Sequence, residues 1–179
     1  MNEQVSSRLW TMRLAFAFLV LAILFFRLLP LQTDVGGLIW PDFVLGFALA
    51  WSVRRPEFVP AVLLAGVFLM SDLLLQRPPG LWAVLALIAC EQVKAQSRAL
   101  RDASIASEFV SVAMWIVGVG IAYQVILAVL LVEGIPVGPA LIQIVVTVLA
   151  YPLAVAITHG VMGVRKAAPN ELGNRRVRL

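Results

Sequence analysis

The sequence predicts an all-α membrane protein, a compact bundle of six transmembrane helices with both termini cytoplasmic. Three observations predict it. Of the 179 residues, 61% are hydrophobic and only 13% are charged, against about 25% charged in an average soluble domain. The mean hydropathy is +0.96, so ionised side chains are too few to cover a water-soluble globule. The charges that exist gather between long apolar runs, which excludes intrinsic disorder as well. A spanning helix takes about 20 residues, so six spans with short loops use up residues 1–164. No room remains for a soluble catalytic domain.

The spans follow from apolar runs and their breakers. The first, 14–29, stops at Pro30. The second, 37–53, is interrupted near its start by Trp40-Pro41-Asp42; a start at Pro41 puts Asp42 in the first turn, where the helix dipole favours an anion. The third, 58–75, tolerates Pro60 in its first turn. The fourth, 81–93, follows Pro78-Pro79-Gly80 and can run on into the amphipathic stretch 94–107, with Lys and Arg heads snorkelling to the headgroups. The fifth, 109–132, is broken by Glu133-Gly134-Ile135-Pro136, and the sixth, 139–164, carries Pro152 as an expected kink. Residues 165–179 form a basic cytoplasmic tail. The second and fourth spans are short for a bilayer about 30 Å thick, which is tolerated where protein shields the backbone.

Lys and Arg set the orientation. With both termini inside, the inner segments hold Arg8, Arg13, Arg54, Arg55, Lys94, Arg98, Arg101, Arg165, Lys166, Arg175, Arg176 and Arg178, leaving only Arg27 and Arg77 outside. The pI of about 10.0 is therefore a topology signal and not a nucleic-acid footprint. The basic start of the first span resembles a signal peptide, but a small-residue cleavage site is missing and Arg27-Leu28-Leu29-Pro30 follows, so it reads as an uncleaved span.

A charge within a span is costly, and each one is a functional candidate. Arg27, Asp34, Asp42, Asp72 and Arg77 all fall toward the outer leaflet. Arg27, Asp42, Asp72 and Arg77 form a candidate outer charge network holding the first three spans together, although for Asp34 and Arg77 the simpler expectation is a place at the water interface. Asp72 lies about one turn inside its span, where Arg27, Arg77 or a backbone amide can satisfy it. A sharper alternative makes Asp42 and Asp72 an intramembrane aspartic-peptidase dyad sharing a proton; separate helix-end anchoring by each is favoured.

Other chemistry is missing from the sequence. It has no phosphate loop and no H-E-x-x-H zinc motif, and no G-x-S-x-G elbow. The expectation is no catalytic residue, no metal and no cofactor. The single cysteine, Cys90, allows no internal disulfide and reads as an apolar filler. His159, the only histidine, reads as interfacial, and Glu91 is placed to pair with Lys94 at i+3. Ala65-Gly66, Gly118, Gly120, Gly160 and Gly163 permit close helix approach, either within the chain, to a second copy of it, or to a partner helix.

Two blocks carry a family resemblance. One is Pro41-Asp42-Phe43-Val44-Leu45 continuing through Trp51 to Arg54-Arg55-Pro56-Glu57; the other is Asp72-Leu73-Leu74 followed by Pro78-Pro79-Gly80-Leu81-Trp82-Ala83. In order and spacing they resemble the hallmark blocks of the rod-shape-determining protein MreD family, over about a quarter of the chain. The second proline of Pro78-Pro79-Gly80 departs from the family turn, which usually reads Pro-Leu-Gly. The resemblance implies a non-enzymatic scaffold of the cell-elongation machinery in the bacterial inner membrane. It implies an MreC-like bitopic partner and, through it, links to the MreB cytoskeleton and to the glycosyltransferase and transpeptidase of the lateral wall. Pro41, Asp42, Trp51, Arg54, Arg55, Pro56, Asp72, Pro78 and Gly80 are its structural motif residues. The family's membrane fold is similar to that of transporter S components, which leaves a second class open: a vitamin carrier, with Trp40, Trp82 and the aspartates near its pocket.

Overall fold

The computed structural model of the chain describes residues 2–29, 39–102, 104–132, 134 and 136–160, with 2–6 and 98–102 described by their backbone alone. Asp34, Gly163, Glu133, Ile135 and the 165–179 tail lie outside the described residues, as do the side chains of Arg98 and Arg101. The described chain is all helical: α1 (Asn2–Leu28), α2 (Phe43–Arg54), a single 3₁₀ turn (Pro56–Phe58), α3 (Ala61–Leu74), α4 (Leu81–Asp102), α5 (Ile105–Val129) and α6 (Val137–Gly160). No strand occurs among the described residues. Three helices are long and apolar enough to cross a membrane, α1 from Ser7, α5 and α6.

α2 is the hub. Its sequence is apolar all round, and a helix of that kind is stable only when enclosed. Every residue from Val44 to Arg54 is buried. α4 and α6 make the largest contacts with it, α1 a smaller one. α3 and α5 flank α4, α5 also packs on α6, and α1 lies against α3 and the 3₁₀ turn. Trp51, fully buried, stands 5.2 Å from Phe16 of α1 and 6.2 Å from Phe58, ring centre to ring centre. The helices around α2 turn Phe18, Phe25, Val62, Val84, Met114 and Leu149 outward, an apolar rim of the kind that marks a membrane or protein contact surface.

Several boundaries differ from the sequence expectation, each for a local reason. α2 begins at Phe43, because Asp42 is its N-cap and stands before the first turn. α3 begins at Ala61: Val59, preceding a proline, is turned away from helix, so Pro60 becomes the cap residue and Pro56–Phe58 a separate turn. α4 runs to Asp102, far past Val93. α5 starts at Ile105 because the Ser104 hydroxyl accepts from Ser107 N at 3.3 Å. α2 and α3, with 12 and 14 residues, rise only about 18 and 21 Å.

Two of the turns use left-handed residues. Gln76 (φ 54°) and Leu131 (φ 53°) end α3 and α5. In each case two amides fold back, Gln76 N to Leu73 O and Arg77 N to Asp72 O, then Leu131 N to Ala128 O and Val132 N to Leu127 O. This is the Schellman pattern, in which glycine is the usual occupant of the left-handed position.

Candidate functional site

Polar side chains gather at the two ends of α2. At its first end the Asp42 carboxylate caps the helix, Oδ1 accepting from Leu45 N at 3.1 Å. The Asp42 amide donates to the Thr147 hydroxyl of α6 at 2.9 Å, and that hydroxyl donates to Gln143 O at 2.7 Å. The remaining oxygen, Oδ2, faces both Nη atoms of Arg77 at 3.4 Å. The Arg77 guanidinium lies 4.7 Å from the centre of the Trp82 ring, a cation–π distance. Arg77 is thus drawn in between an acid and an indole, its side chain 11% exposed, and is not a loose interfacial cation. Arg27, in the last turn of α1, is within electrostatic reach of Asp42 and Arg77.

Asp72 is fully buried and does something different. Its Oδ2 accepts from Gly80 N at 3.0 Å and from Ala83 N at 3.1 Å. It therefore caps α4 from the end of α3, taking up amides that an α-helix N-terminus leaves orphaned. Pro78 and Pro79 have no N–H, so Gly80 offers the turn's first amide, and its φ of +89° is accessible to glycine alone at little cost. A backbone amide was one of the partners the sequence left open for Asp72. Each aspartate thus caps its own helix through one oxygen, Asp42 Oδ1 to Leu45 N and Asp72 Oδ2 to Gly80 N and Ala83 N, while the buried Asp72 Oδ1 has no hydrogen-bond partner among the described residues.

The opposite end of α2 holds a cluster that the sequence reading missed. Arg54 Nη1 and Glu108 Oε1 are 2.6 Å apart, with side chains 8% and 3% exposed. The Tyr151 hydroxyl donates to the same Glu108 oxygen at 3.0 Å. One carboxylate thereby joins α2, α5 and α6. Arg54 is consequently more than a topology charge; its neighbour Arg55 is more exposed and pairs with Glu57 at 3.4 Å. Nearby, the Lys94 ammonium donates to Val59 O at 2.5 Å and to Glu91 at 2.6 Å, the latter being the i+3 pair expected. Arg13 reaches Glu57 O at 3.4 Å. The available signal for the triad was Glu108 itself, a lone acid in the first turn of a long apolar helix, at the end of the bundle where Arg54 needs a partner.

The other motif residues serve the backbone. Pro41 O accepts from Phe43 N at 3.0 Å as the chain enters α2, and Pro56 opens the 3₁₀ turn. Of the small residues, Gly120 is the one used inside the bundle: a Cβ there would stand 2.5 Å from the Ile144 side chain. Gly66, Gly118 and Gly160 look into open space. Cys90 is a buried thiol. A cleft with room for about 30 Å³, lined by Asp42, Arg77, Trp82, Tyr123, Gln143 and Thr147, lies at the Asp42 end. That is space for one or two waters. Among the described residues no group of His, Cys, Asp or Glu is arranged to hold a metal ion.

The fold and its polar ends define an all-helical protein with three membrane-length apolar helices and an enclosed central one. In comparisons with known proteins, no family model, no curated protein and no solved structure matches the chain.

Proposed function

We propose that the chain is a six-span, non-enzymatic scaffold of the bacterial inner membrane, with both termini cytoplasmic. In this reading it is an MreD-type component of the cell-elongation machinery. Its partner is an MreC-like bitopic protein, through which it is linked to the MreB cytoskeleton and to lateral-wall synthases. The observation that carries the reading is how the charges near the Asp42 end are spent. Asp42 caps a helix and pairs with Arg77, and Asp72 caps a second helix. These bonds set helix geometry, and of the two carboxylates only Asp72 Oδ1 is left without a hydrogen-bond partner among the described residues. The basic residues Arg13, Arg54, Arg55 and Lys94 at the other end favour a cytoplasmic position for it. Gly66 and Gly118, open on their outer sides, suit close packing of a partner helix.

One observation speaks for an S-component-like carrier, the cleft beside Arg77, Trp82 and Tyr123. Its 30 Å³ falls far below the roughly 300–1,000 Å³ of a small-molecule site, so the scaffold is preferred. The peptidase alternative is weakened by the separate amide partners of the two aspartates.

The test is purification of the tagged protein from its native membrane in mild detergent, followed by intact-complex mass spectrometry. A stoichiometric single-span protein is the expected result. A retained small molecule without such a protein would replace the scaffold with the carrier.

A further inference from the structure

The two sides of the bundle offer hydrocarbon very different heights. The hydrogen bond from Asp42 N to Thr147 fixes the level of the Asp42 end against α6. Thr147 lies ten residues into α6 from Val137, so α6 continues about 15 Å beyond that level at 1.5 Å per residue. On α5, the edge contact of Tyr123 with Trp82 at 5.2 Å marks where α4 begins. Six more residues, about 9 Å, carry α5 on to Val129. This overhang is apolar on its outside, with Val125, Val129, Leu130, Leu131, Val137 and Leu141 all exposed.

The α3–α4 edge ends lower and ends in polar groups. The outward apolar residues of α3 run from Val62 to Leu74, about 18 Å of helix. Exposed Gln76 and the Pro78–Gly80 turn close it above. On α4 the outward apolar residues stop at Ile88, and the exposed Glu91 follows. On α5 the outward apolar residues extend from Ile105 to Val129, about 36 Å. A flat hydrocarbon slab of about 30 Å cannot satisfy both sides. Raised to cover the overhang, it would bury Gln76 and the polar turn; lowered to the turn, it would leave Leu131, 91% exposed, and Val137 in water.

We propose that the outer leaflet steps down along the α3–α4 edge, so that the protein sits in a bilayer locally thinned by about 10 Å on that side. The occupant of the edge is phospholipid acyl chain. The step brings outer water to the level of the Arg77 turn and the cleft beside it, while α5 and α6 stay in full-thickness lipid. This rests on the membrane placement proposed above but not on the identity of any partner.

Spin labels test it in the purified full-length chain, reconstituted alone into dioleoylphosphatidylcholine vesicles after C90A. Labels are placed singly at Q76C, V129C and F18C, the last on the outward face of α1. Where Q76C does not insert, P79C reads the same level. Relaxation by a water-soluble nickel chelate is compared with relaxation by oxygen. The step requires Gln76 to be dominated by nickel while Val129 and Phe18 are dominated by oxygen. Nickel at both Gln76 and Val129, with oxygen at Phe18, would mean a flat membrane with the α5–α6 hairpin outside it. Oxygen at all three would mean a turn buried in flat lipid, and either result overturns the step alone. Nickel at Phe18 would overturn the membrane placement itself.

Discussion

Arg54 and Glu108 meet at 2.6 Å where α2 ends and α5 begins, both buried, with Tyr151 on the same carboxylate oxygen. Removing one partner of such a pair strands a charge, at a cost of about 3–5 kcal/mol. We expect Arg54→Ala or Glu108→Ala to lower the midpoint of thermal aggregation in detergent sharply, whereas Arg55→Ala leaves it nearly unchanged. The triple variant Arg54→Met, Glu108→Leu and Tyr151→Phe should recover much of the loss, because it leaves none of the three buried polar groups without its partner. Equal effects from Arg54 and Arg55 would show that the buried pair carries no special weight.

Asp72 acts as an acceptor for two amides, Gly80 N and Ala83 N. Asp72→Asn keeps an oxygen that can accept, while Asp72→Ala keeps none. Hydrogen bonds to a charged group are each worth about 1.5–3 kcal/mol. The alanine variant is therefore expected to lose most of its monodisperse peak in fluorescence-detected size-exclusion chromatography, and the asparagine variant a smaller share. Indistinguishable profiles for the two would refute the capping role.

The left-handed positions separate two opposite effects. Gly80 has φ +89°, and a Cβ in the left-handed region costs about 1–2 kcal/mol, so Gly80→Ala should destabilise. Gln76 and Leu131 already carry that strain, and Gln76→Gly or Leu131→Gly should raise the melting midpoint by a few degrees. Thermal unfolding of the three variants followed side by side checks the signs.

Gly120 admits the Ile144 side chain where α5 crosses α6. Overpacking of that kind costs about 1–3 kcal/mol, so Gly120→Ala should destabilise, and Ile144→Ala, which removes both the Cγ1 and Cδ1 atoms the new Cβ would meet, should relieve the clash. Gly66→Ala and Gly118→Ala meet nothing within 4 Å and lie inside helices, where alanine is favoured over glycine, so neither should lower the isolated chain's stability. A loss of partner retention in either of these two would then locate the docking face.

The helices were legible because apolar runs and their Pro and Gly breaks are local features. The Gly80 turn and the Glu91–Lys94 pair were legible for the same reason: each partner lies within a few residues. Arg77 was legible in part, named with Asp42 in the outer charge network but without its Trp82 contact, and Glu108 was not legible. Their surroundings are built by Trp82 and Asp42, and by Arg54 and Tyr151, and only the packed bundle brings these together. Glu108 stood on the border between a polar stretch and an apolar one, where neither pattern gave it a role. The start of α2 was misplaced because apolar residues before Asp42 extend the hydrophobic run without extending the helix.

α2 draws its support from segments made long after it. The acid partner of its Arg54 end is on α5, the hydroxyl partner of its Asp42 end is on α6, and its largest packing surfaces are α4 and α6. A ribosome that has just delivered Arg54 still owes the chain about a hundred residues before Thr147 exists. During that interval a twelve-residue helix, too short to span on its own, has no finished cradle. In the proposed membrane placement, biogenesis holds this segment at the insertion machinery, or at the membrane surface, until the last hairpin arrives and locks it in place. Truncation after α5 removes the Thr147 hydroxyl and one of the two largest packing surfaces of α2, and should accordingly yield a chain that quality-control proteases remove.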